Sequence, residues 1–316
     1  MNLNKESLIS IVLPVYNEEA ALPVFIPSIM KILNEYNTEI ILVDDGSTDD
    51  SWTVIEELSK NYNHIRGISF TRNFGHQAAI MAGLEVSKGD AVIMMDSDGQ
   101  HPPEILPELI ELWKKGGEVI QGVRLNHGTK SILKKITSIF FYKIFYMFSD
   151  VKLKEGEADF RLLSRKVVNK LLECRGPLLF LRGTIPWLGY KTEYVPFEVK
   201  ERIGGKPGYS MTKSMRLSLH GLMSFSVLPL RMAIVIGAFS ACLSFLYFIY
   251  VLVVWFAFEK FVVQGWASII SMVLLLGGIQ LLTLGIVGEY LGKIFIAGLN
   301  RPSYVIKESG LKNTES

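Results

Sequence analysis

The sequence predicts an α/β domain built on a mostly parallel sheet, followed by helices that enter a membrane. Between Leu8 and Gly122, short apolar runs alternate with amphipathic stretches, a pattern typical of strands joined by crossover helices. Polar clusters follow four of these runs, and two long uncharged runs lie near the C-terminus. A length of 316 residues allows one full-sized domain with an appendage, but not two large domains.

The composition also favours a membrane protein. Hydrophobic residues make up 49% of the chain and the mean hydropathy is +0.29, with the excess concentrated in the last third. A net charge of +2 gives no general bias toward nucleic acid. Cys174 and Cys242 lie far apart and form neither a disulfide framework nor a metal-ligand spacing. No signal peptide is evident at the N-terminus, so we expect the first domain to stay in the cytoplasm.

The elements of the first domain are predicted from its apolar periodicity. Strands are expected at Ile9–Val15, Glu39–Val43, Ile65–Phe70, Ala91–Met95 and Glu118–Gly122. Helices are expected near Glu19–Tyr36, Asp49–Asn61, Gly75–Val86 and Pro103–Lys115. Asp49 and Pro103 stand where a helix cap and a first-turn proline belong.

Polar clusters follow the first four predicted strands. They are Tyr16-Asn17-Glu18, Asp44-Asp45-Gly46, Arg72-Asn73 and Asp96-Ser97-Asp98. Ligands of open parallel sheets bind beyond the carboxyl ends of the strands. We therefore expect the four clusters to converge on one rim.

Asp96 and Asp98 form a candidate metal site, because two carboxylates at i and i+2 after a buried strand can face one hard cation. Mg²⁺ typically takes one or two protein carboxylates and completes its shell with phosphates and water. A bound cation would offset negative charge on a leaving diphosphate. The sequence thus predicts a site for Mg²⁺ or Mn²⁺.

Asp44 and Asp45 are candidates for accepting hydrogen bonds from a ribose hydroxyl or a base N–H, next to the tight turn that Gly46 allows. The alternative is a capped helix start in which Ser47 or Asp49 only satisfies backbone donors, and both interpretations can hold together. Tyr16 adds a ring that can stack on a nucleotide base.

Two amphipathic helices are predicted beside the membrane. At about residues 130–150, apolar residues at helical spacing alternate with lysines, which suits a helix at a membrane interface. A soluble helix packed on the sheet is the alternative. A second candidate lies at about 211–225, so that the cytoplasmic domain extends over residues 1–230.

A transmembrane hairpin is predicted at 231–292, because Met232–Phe258 and Phe261–Gly288 each exceed the 20 or so apolar residues that a crossing needs. Positive charges flank both outer ends of the hairpin, which predicts that both ends are cytoplasmic. The tail at 293–316 is then cytoplasmic, and after Arg301 we expect it to be poorly ordered.

Four blocks of this sequence resemble the signature blocks of family 2 glycosyltransferases. The blocks are Pro14–Glu18, Asp44–Asp49, Arg72–Gly75 and Asp96–Glu104. Over essentially its whole length the chain is similar to polyprenyl-phosphate glycosyltransferases related to dolichyl-phosphate mannose synthase. The nearest bacterial group moves glucose from UDP-glucose to undecaprenyl phosphate. The resemblance implies a Rossmann-like GT-A fold, a divalent metal and inversion at the anomeric carbon.

The resemblance also implies roles for residues on the donor side. Asp98 would be the principal metal ligand and a catalytic residue, with Asp96 as the second ligand. Ser97 stands where the family often has Leu or Ala, which leaves both carboxylates intact. Expected contacts to the nucleotide sugar are Pro14, Tyr16, Asn17, Glu18, Asp44, Asp45, Arg72, Asp96, Ser97 and Gln100.

On the acceptor side, Glu157–Leu162 is similar to the block whose aspartate, here Asp159, is the family's usual candidate for catalytic base. Lys200–Arg202 is similar to a basic loop that closes over phosphates. Expected acceptor-phosphate contacts are Arg161, Arg202, Lys206 and Ser210. A local salt bridge for Asp159 and a solvated charge for Arg202 are the alternatives.

The acceptor itself modifies the expected role of Asp159. A phosphate monoester has a second pKa near 6, so it is largely dianionic at pH 7 and needs positioning more than deprotonation. We therefore predict that Asp159 orients the acceptor site or its basic residues, with proton abstraction secondary.

The sequence gives less support to other functions. A processive polysaccharide synthase would need a Gln-x-x-Arg-Trp block, which is absent, and more than two spans. A non-catalytic lipid-carrier flippase or scaffold is disfavoured by the intact carboxylates. A GDP-mannose-using synthase and donors carrying N-acetylglucosamine, galactose or aminoarabinose stay open.

The expected location is the bacterial inner membrane, with the enzyme modifying lipid carriers for cell-surface glycans. Glycines at 277, 278, 285 and 288 permit close helix contact, and members of the family form tetramers, so a homo-oligomer is also open.

Overall fold

The computed structural model describes residues 7–125, 156–174, 181–203, 228–257, 265–299 and 301–309. It divides into two compact units, one formed by Met1–Arg216 with Arg301–Ser316 and the other by Leu217–Asn300. The predicted amphipathic helices at about 130–150 and 211–225, together with Lys206 and Ser210, lie outside the described residues.

The first unit is built on one mixed sheet. In the described residues its eight strands follow the order β7-β5-β6-β4-β1-β2-β3-β8. The parallel pairs are β1–β2, β1–β4, β2–β3 and β5–β7, whereas β6 and β8 run antiparallel to their neighbours. The strands are β1 Ile9–Val15, β2 Thr38–Asp44, β3 Ile65–Phe70, β4 Ala91–Met94, β5 Val119–Arg124, β6 Glu157–Ser164, β7 Thr192–Phe197 and β8 Ile306–Ser309. The predicted α/β class with a mostly parallel sheet is therefore confirmed.

Helices cover both faces of this sheet. They are α1 Leu22–Ile32, α2 Ser51–Asn61, α3 His76–Val86, α4 Leu106–Lys114, α5 Arg165–Glu173 and α6 Leu181–Trp187, with a 3₁₀ turn at Pro103–Ile105. Successive strand residues point to opposite faces. Ile11 and Leu13 of β1 therefore join the core beneath α1 and α4, while Val12 joins the core beneath α3. Gly83 lets α3 lie this close, because a Cβ there would meet Val12 Cγ1 at 2.3 Å.

The first five strands lie where the sequence predicts them, within two residues at each end. Three further strands were not predicted. β6 is a central strand that carries Asp159 and Arg161, and charged residues in a strand hide the apolar alternation on which the prediction depends. β7, with the sequence Thr-Glu-Tyr-Val-Pro-Phe, lies at the edge of the sheet and contains a proline. Because proline cannot donate a backbone hydrogen bond, it weakens a strand prediction made from the sequence.

Residues 301–309 of the C-terminal tail are ordered, which corrects the expectation of a poorly ordered tail after Arg301 for this part of it. Residues 306–309 form β8 and pair antiparallel with β3. Tyr304 stacks on Phe70 with ring centroids 4.9 Å apart and donates a hydrogen bond to Glu85 at 2.6 Å. Trp52 Nε1 donates to Glu308 at 3.0 Å. This segment has a polar sequence, but it pairs with the open edge of β3 and contacts these side chains.

The second unit consists of two long helices, α7 Leu228–Ala257 and α8 Trp266–Gly298, which pack against each other. Within the described residues, one segment, Leu275–Gly298, is long and apolar enough to cross a membrane, with a mean hydropathy of 1.5. Met232–Tyr247 in α7 is a shorter apolar segment. Of the two predicted spans, the structure therefore supports one by length and composition.

Candidate functional site

The polar clusters after β1, β2, β3 and β4 meet at the carboxyl edge of the sheet. Ser97 Oγ donates to the Pro14 carbonyl at 2.8 Å, which ties the fourth cluster to the first. The Asp45 N–H donates to the Val15 carbonyl at 2.8 Å, which ties the second cluster to the first. The Phe74 N–H donates to Asp45 and brings in the segment after β3. The predicted rim is thus present in the structure.

Asp44 and Asp45 stabilise the loops that form this rim by accepting hydrogen bonds from them. Asp44 accepts from the Ser47 N–H at 3.0 Å and from Ser69 Oγ at 2.9 Å. Asp45 accepts from the N–H groups of Phe74 at 2.6 Å and Gly75 at 2.9 Å. Burial raises the pKa of Asp45, and the two backbone N–H groups act in the opposite direction. Both carboxylates therefore shape the site through backbone contacts.

The turns beside these aspartates require unusual backbone conformations. Gly46 has a φ of +67°, and a Cβ there would lie 2.5 Å from the backbone of Arg72. Asn17 adopts a φ of 55°, which asparagine tolerates, and its Oδ1 accepts from the Thr48 N–H at 2.8 Å. The neighbouring Tyr16 ring stays 45% exposed, so one aromatic face at the rim is open to a ligand.

Asp96 lies between two histidines. His76 Nε2 is 2.8 Å from Asp96 Oδ1, and His101 Nε2 is 3.6 Å from Oδ2. Burial disfavours the charged form of Asp96, but the two imidazoles outweigh burial and lower its pKa. His101 is fully buried, stacks on Phe160 and accepts the Asp96 N–H through Nδ1 at 3.0 Å. Burial lowers the pKa of His101, and the neighbouring Asp96 opposes that fall.

Asp98 is held by one backbone donor and lies near one guanidinium. Its Oδ1 accepts from the Gln100 N–H at 3.0 Å, and its Oδ2 faces Arg202 Nε at 4.0 Å. Within the described residues, no three or more His, Cys, Asp or Glu side chains converge as a metal site. The protein thus offers Asp98, with Asp96 already engaged by histidines. Such a sparse donor set fits Mg²⁺ or Mn²⁺, whose shell is completed by phosphates and water.

The segment at residues 200–203 packs against the Asp98 loop. The Lys200 N–H donates to the Gln100 carbonyl at 3.2 Å, and the Ile203 N–H donates to the Asp98 carbonyl at 3.1 Å. Between them, Arg202 forms an ion pair with the buried Glu18. Burial raises the pKa of Glu18, and Arg202 opposes that rise. Arg202 therefore lies at the rim and is not a solvated surface charge.

Asp159, at the start of β6, is paired with two arginines. Arg182 of α6 donates to it twice, from Nε at 2.8 Å and from Nη2 at 2.7 Å. Arg161 Nη2 lies 3.7 Å from the same carboxylate. Burial disfavours the charged form, but Arg182 above all, with His76 and Arg161, outweighs burial and holds the pKa of Asp159 far below its usual range.

The position of Arg161 differs from the sequence-based expectation. Arg161, expected to contact the acceptor phosphate, is 1% exposed and donates inward to the Ala158 carbonyl at 3.2 Å. Arg182 and His76 were not singled out from the sequence. No local motif marks them, since both act through partners 20 or more residues away in the chain.

A mostly parallel sheet with carboxylates and arginines at its carboxyl edge fits the GT-A-like class of glycosyltransferases. Residues 10–172 match the family model described as Glycosyl transferase family 2, and residues 228–294 match the one described as GtrB C-terminal hairpin. The chain belongs to glycosyl transferase family 2.

Similar proteins match nearly the full chain. The SfII prophage-derived bactoprenol glucosyl transferase of Shigella flexneri is 41% identical over 305 residues, which cover 95% of this chain and 98% of that protein. The prophage bactoprenol glucosyl transferase homolog of Escherichia coli strain K12 is 38% identical over 301 residues, with the same coverage of 95% and 98%. The putative glycosyltransferase CsbB of Bacillus subtilis strain 168 is 38% identical over 313 residues, covering 98% and 94%.

Proposed function

We propose that this protein transfers glucose from UDP-glucose to undecaprenyl phosphate, with inversion at the anomeric carbon, at the inner membrane of a bacterium. The product would be a lipid-phosphate-linked monosaccharide for modification of cell-surface glycans. Similarity to bactoprenol glucosyl transferases over nearly the whole chain supports this choice. One observation carries it: the carboxylate Asp98 and the arginine-bound Asp159 lie at the same edge of one sheet.

On the donor side, Tyr16 offers an exposed ring on which uracil can stack. Asp44 and Asp45 hold the loops around it, and Asp98 would hold a divalent cation together with the diphosphate. When bound, that cation offsets the negative charge that develops on the leaving UDP. Arg202, predicted from the sequence to contact the acceptor phosphate, lies 4.0 Å from Asp98 and is ion-paired with Glu18, so we place it beside the diphosphate instead.

On the acceptor side, an oxygen of the lipid phosphate attacks the anomeric carbon. The new carbon–oxygen bond forms as the bond to the diphosphate breaks, and inversion follows from attack opposite the leaving group. The attacking oxygen already carries negative charge at pH 7, so no proton has to be removed. Asp159, held as a carboxylate by two arginines, suits an orienting role better than that of a base.

We infer a membrane anchor with two crossings at about residues 231–292, in which Leu275–Gly298 has the length and hydropathy of a span and Met232–Tyr247 is a shorter apolar segment. Its apolar side chains are widely exposed; Leu281 is 72% and Phe239 67% exposed. The chain leaves the first unit before α7 and returns to it in β8, which pairs with β3. Segments that share a sheet lie on one side of a membrane, so the number of crossings between them is even. We infer that residues 1–230 and 293–316 are both cytoplasmic.

The direct test uses the purified full-length protein with radiolabelled UDP-glucose, undecaprenyl phosphate and Mg²⁺ or Mn²⁺. We expect label in an organic-soluble, acid-labile lipid, and less label when GDP-mannose or UDP-N-acetylglucosamine replaces UDP-glucose. Label found only in polymer would favour a polysaccharide synthase. No transfer from any nucleotide sugar would favour a non-catalytic lipid-carrier protein.

A further inference from the structure

The strand that carries Asp159 contains a bulge at that residue. In the antiparallel pairing of β5 with β6, Gln121 is opposite Arg161, but the next paired residue, Val123, is opposite Glu157. One β5 residue therefore faces three β6 residues, where a regular ladder sets one residue against one. Asp159 is the middle residue of these three, so the bulge decides where its side chain begins.

A buried glutamine supplies hydrogen-bond donors to this bulge. Backbone groups in a bulge lose their regular ladder partners, and a buried carbonyl without a donor is costly. Gln121 Nε2 donates to the carbonyls of Ala158 at 2.7 Å and Phe160 at 3.2 Å, the two residues that flank Asp159. It also donates to the Gly122 carbonyl at 2.8 Å. Carbonyls only accept hydrogen bonds, so these contacts fix which way the buried amide points.

The side chains on either side of Asp159 are held in the core. Ala158 and Phe160 are both buried, and the Phe160 ring stacks on His101 with centroids 4.8 Å apart. The Asp159 carboxylate between them meets the Arg182 guanidinium at 2.7 and 2.8 Å. Because the flanking side chains are packed and the flanking carbonyls are bonded, the direction of the Asp159 side chain depends on the shape of the bulge.

We propose that Gln121 is a positioning residue for the transfer reaction, whose amide holds the β6 bulge so that Asp159 faces the acceptor half of the site. Bulges are frequent beside active sites, where they redirect a side chain. The inference rests on the proposed function and adds a residue that neither the sequence motifs nor the family blocks mark. Gln121 acts through the backbone on both sides of Asp159. A test therefore has to separate this role from a contribution to stability alone.

The test measures initial rates of the full-length protein while UDP-glucose and undecaprenyl phosphate are varied separately. Gln121→Met keeps the length of the side chain and removes its hydrogen-bond donors. We expect kcat/KM for undecaprenyl phosphate to fall about three- to tenfold, the scale of one weakened hydrogen bond. The Kd for UDP should change by less than about threefold. An unchanged kcat/KM for undecaprenyl phosphate in the folded variant would overturn the inference.

A double variant distinguishes positioning from stability. If Gln121 acts through Asp159, its amide has nothing left to position once the carboxylate is replaced. Gln121→Met combined with Asp159→Asn should then be no slower than Asp159→Asn alone, because effects on one shared interaction are not additive. If the two losses multiply, Gln121 does not act through Asp159 and the inference fails.

Ser10→Ala is the matched control, because Ser10 is a buried polar residue at the opposite end of the sheet. Its Oγ donates to Glu39 at 2.6 Å and accepts the Gly89 N–H at 2.8 Å. This control should lower the melting temperature and leave the KM for undecaprenyl phosphate unchanged. An equal rise of that KM in Ser10→Ala and Gln121→Met would contradict a specific role. If Gln121→Met does not fold, Gln121→Asn, which keeps a shorter amide, takes its place in the double variant.

A direct binding measurement separates this inference from the proposed function. In nanodiscs, without UDP-glucose, the wild-type protein should bind undecaprenyl phosphate more tightly than undecaprenol, and Gln121→Met and Asp159→Asn should both weaken that preference. This result would support the role of Gln121 even if glucose were not the transferred sugar. A preference that Asp159→Asn weakens and Gln121→Met leaves intact would overturn the inference and leave the proposed function standing. A wild-type protein without any preference would overturn both.

Discussion

The two halves of the site, which we propose bind the donor and the acceptor, hold their aspartates by different means. Asp98 and Asp45, in the proposed donor half, accept from backbone N–H groups of Gln100, Phe74 and Gly75. Asp159, in the proposed acceptor half, accepts from a guanidinium group. Backbone donors orient a carboxylate without cancelling its charge, whereas a guanidinium neutralises it. The same residue type can therefore attract a cation at one position and orient a basic residue at another.

The sharpest test of the donor half is Asp98→Asn. Asparagine keeps an oxygen that can accept the Gln100 N–H, so the loop should hold its shape while the negative charge is lost. We expect kcat/KM to fall by roughly 10²- to 10³-fold, because a bound cation contributes several kcal/mol to transition-state stabilisation. Titration of Mn²⁺ against the variant should show weakened metal dependence of activity.

Asp90→Asn is the control for that change, because Asp90 accepts the Leu8 N–H at the opposite edge of the sheet. Its activity and metal dependence should match those of the wild type. If both variants lost activity to the same degree, the charge of Asp98 would have no special role.

Asp159→Asn tests the acceptor half. Because the pKa of Asp159 is depressed, its ionised form stabilises the fold above the unfolded value of about 4, and this contribution is lost only as the pH falls toward the lower folded pKa. The side chain thus stays charged from pH 5 to 8. We expect the variant to lose roughly tenfold in kcat/KM through misorientation of Arg182, with an unchanged shape of the pH profile.

A general base would behave differently. Because Asp159 stays charged from pH 5 to 8, loss of a general base would lower the rate by roughly 10²- to 10⁴-fold across that whole range, well beyond the tenfold loss expected for an orienting group. Rates measured from pH 5 to 8 on both proteins distinguish these two outcomes.

The smallest predicted effect concerns the C-terminal segment, which supports the donor half from outside. Tyr304 stacks on Phe70, Phe70 contacts Phe74 edge-to-face, and Phe74 carries Arg72 over its ring at 4.1 Å. Aromatic pairs contribute about 0.5–1.5 kcal/mol. Tyr304→Ala should raise the KM for UDP-glucose by about two- to tenfold without changing the acceptor KM.

Tyr304→Phe provides the comparison, since it keeps the stacked ring and removes only the hydrogen bond to Glu85. We expect its donor KM to lie close to that of the wild type. Equal donor KM values for Tyr304→Ala and the wild type would show that the tail does not influence the donor loop.

Much of the donor half could be predicted from the sequence because the elements that carry its carboxylates form from contiguous stretches of the chain. Strand, turn and helix follow each other within about a dozen residues, and the carboxylates come directly after apolar strands. Parallel strands then bring their carboxyl ends to one edge, so the convergence of the rim follows from the strand order. The apolar character of the C-terminal helices could also be predicted from the sequence, since it depends on composition alone.

Only the tertiary structure decided which charges neutralise each other. The partner of Asp159 is Arg182, 23 residues away on another element, and the partners of Asp96 include His76, 20 residues away. The order of the tail likewise depends on an open strand edge more than 230 residues earlier in the chain. The sequence by itself determined where the carboxylates stand. Folding determined their chemistry, because the charge of a buried group depends on the neighbours that packing brings to it.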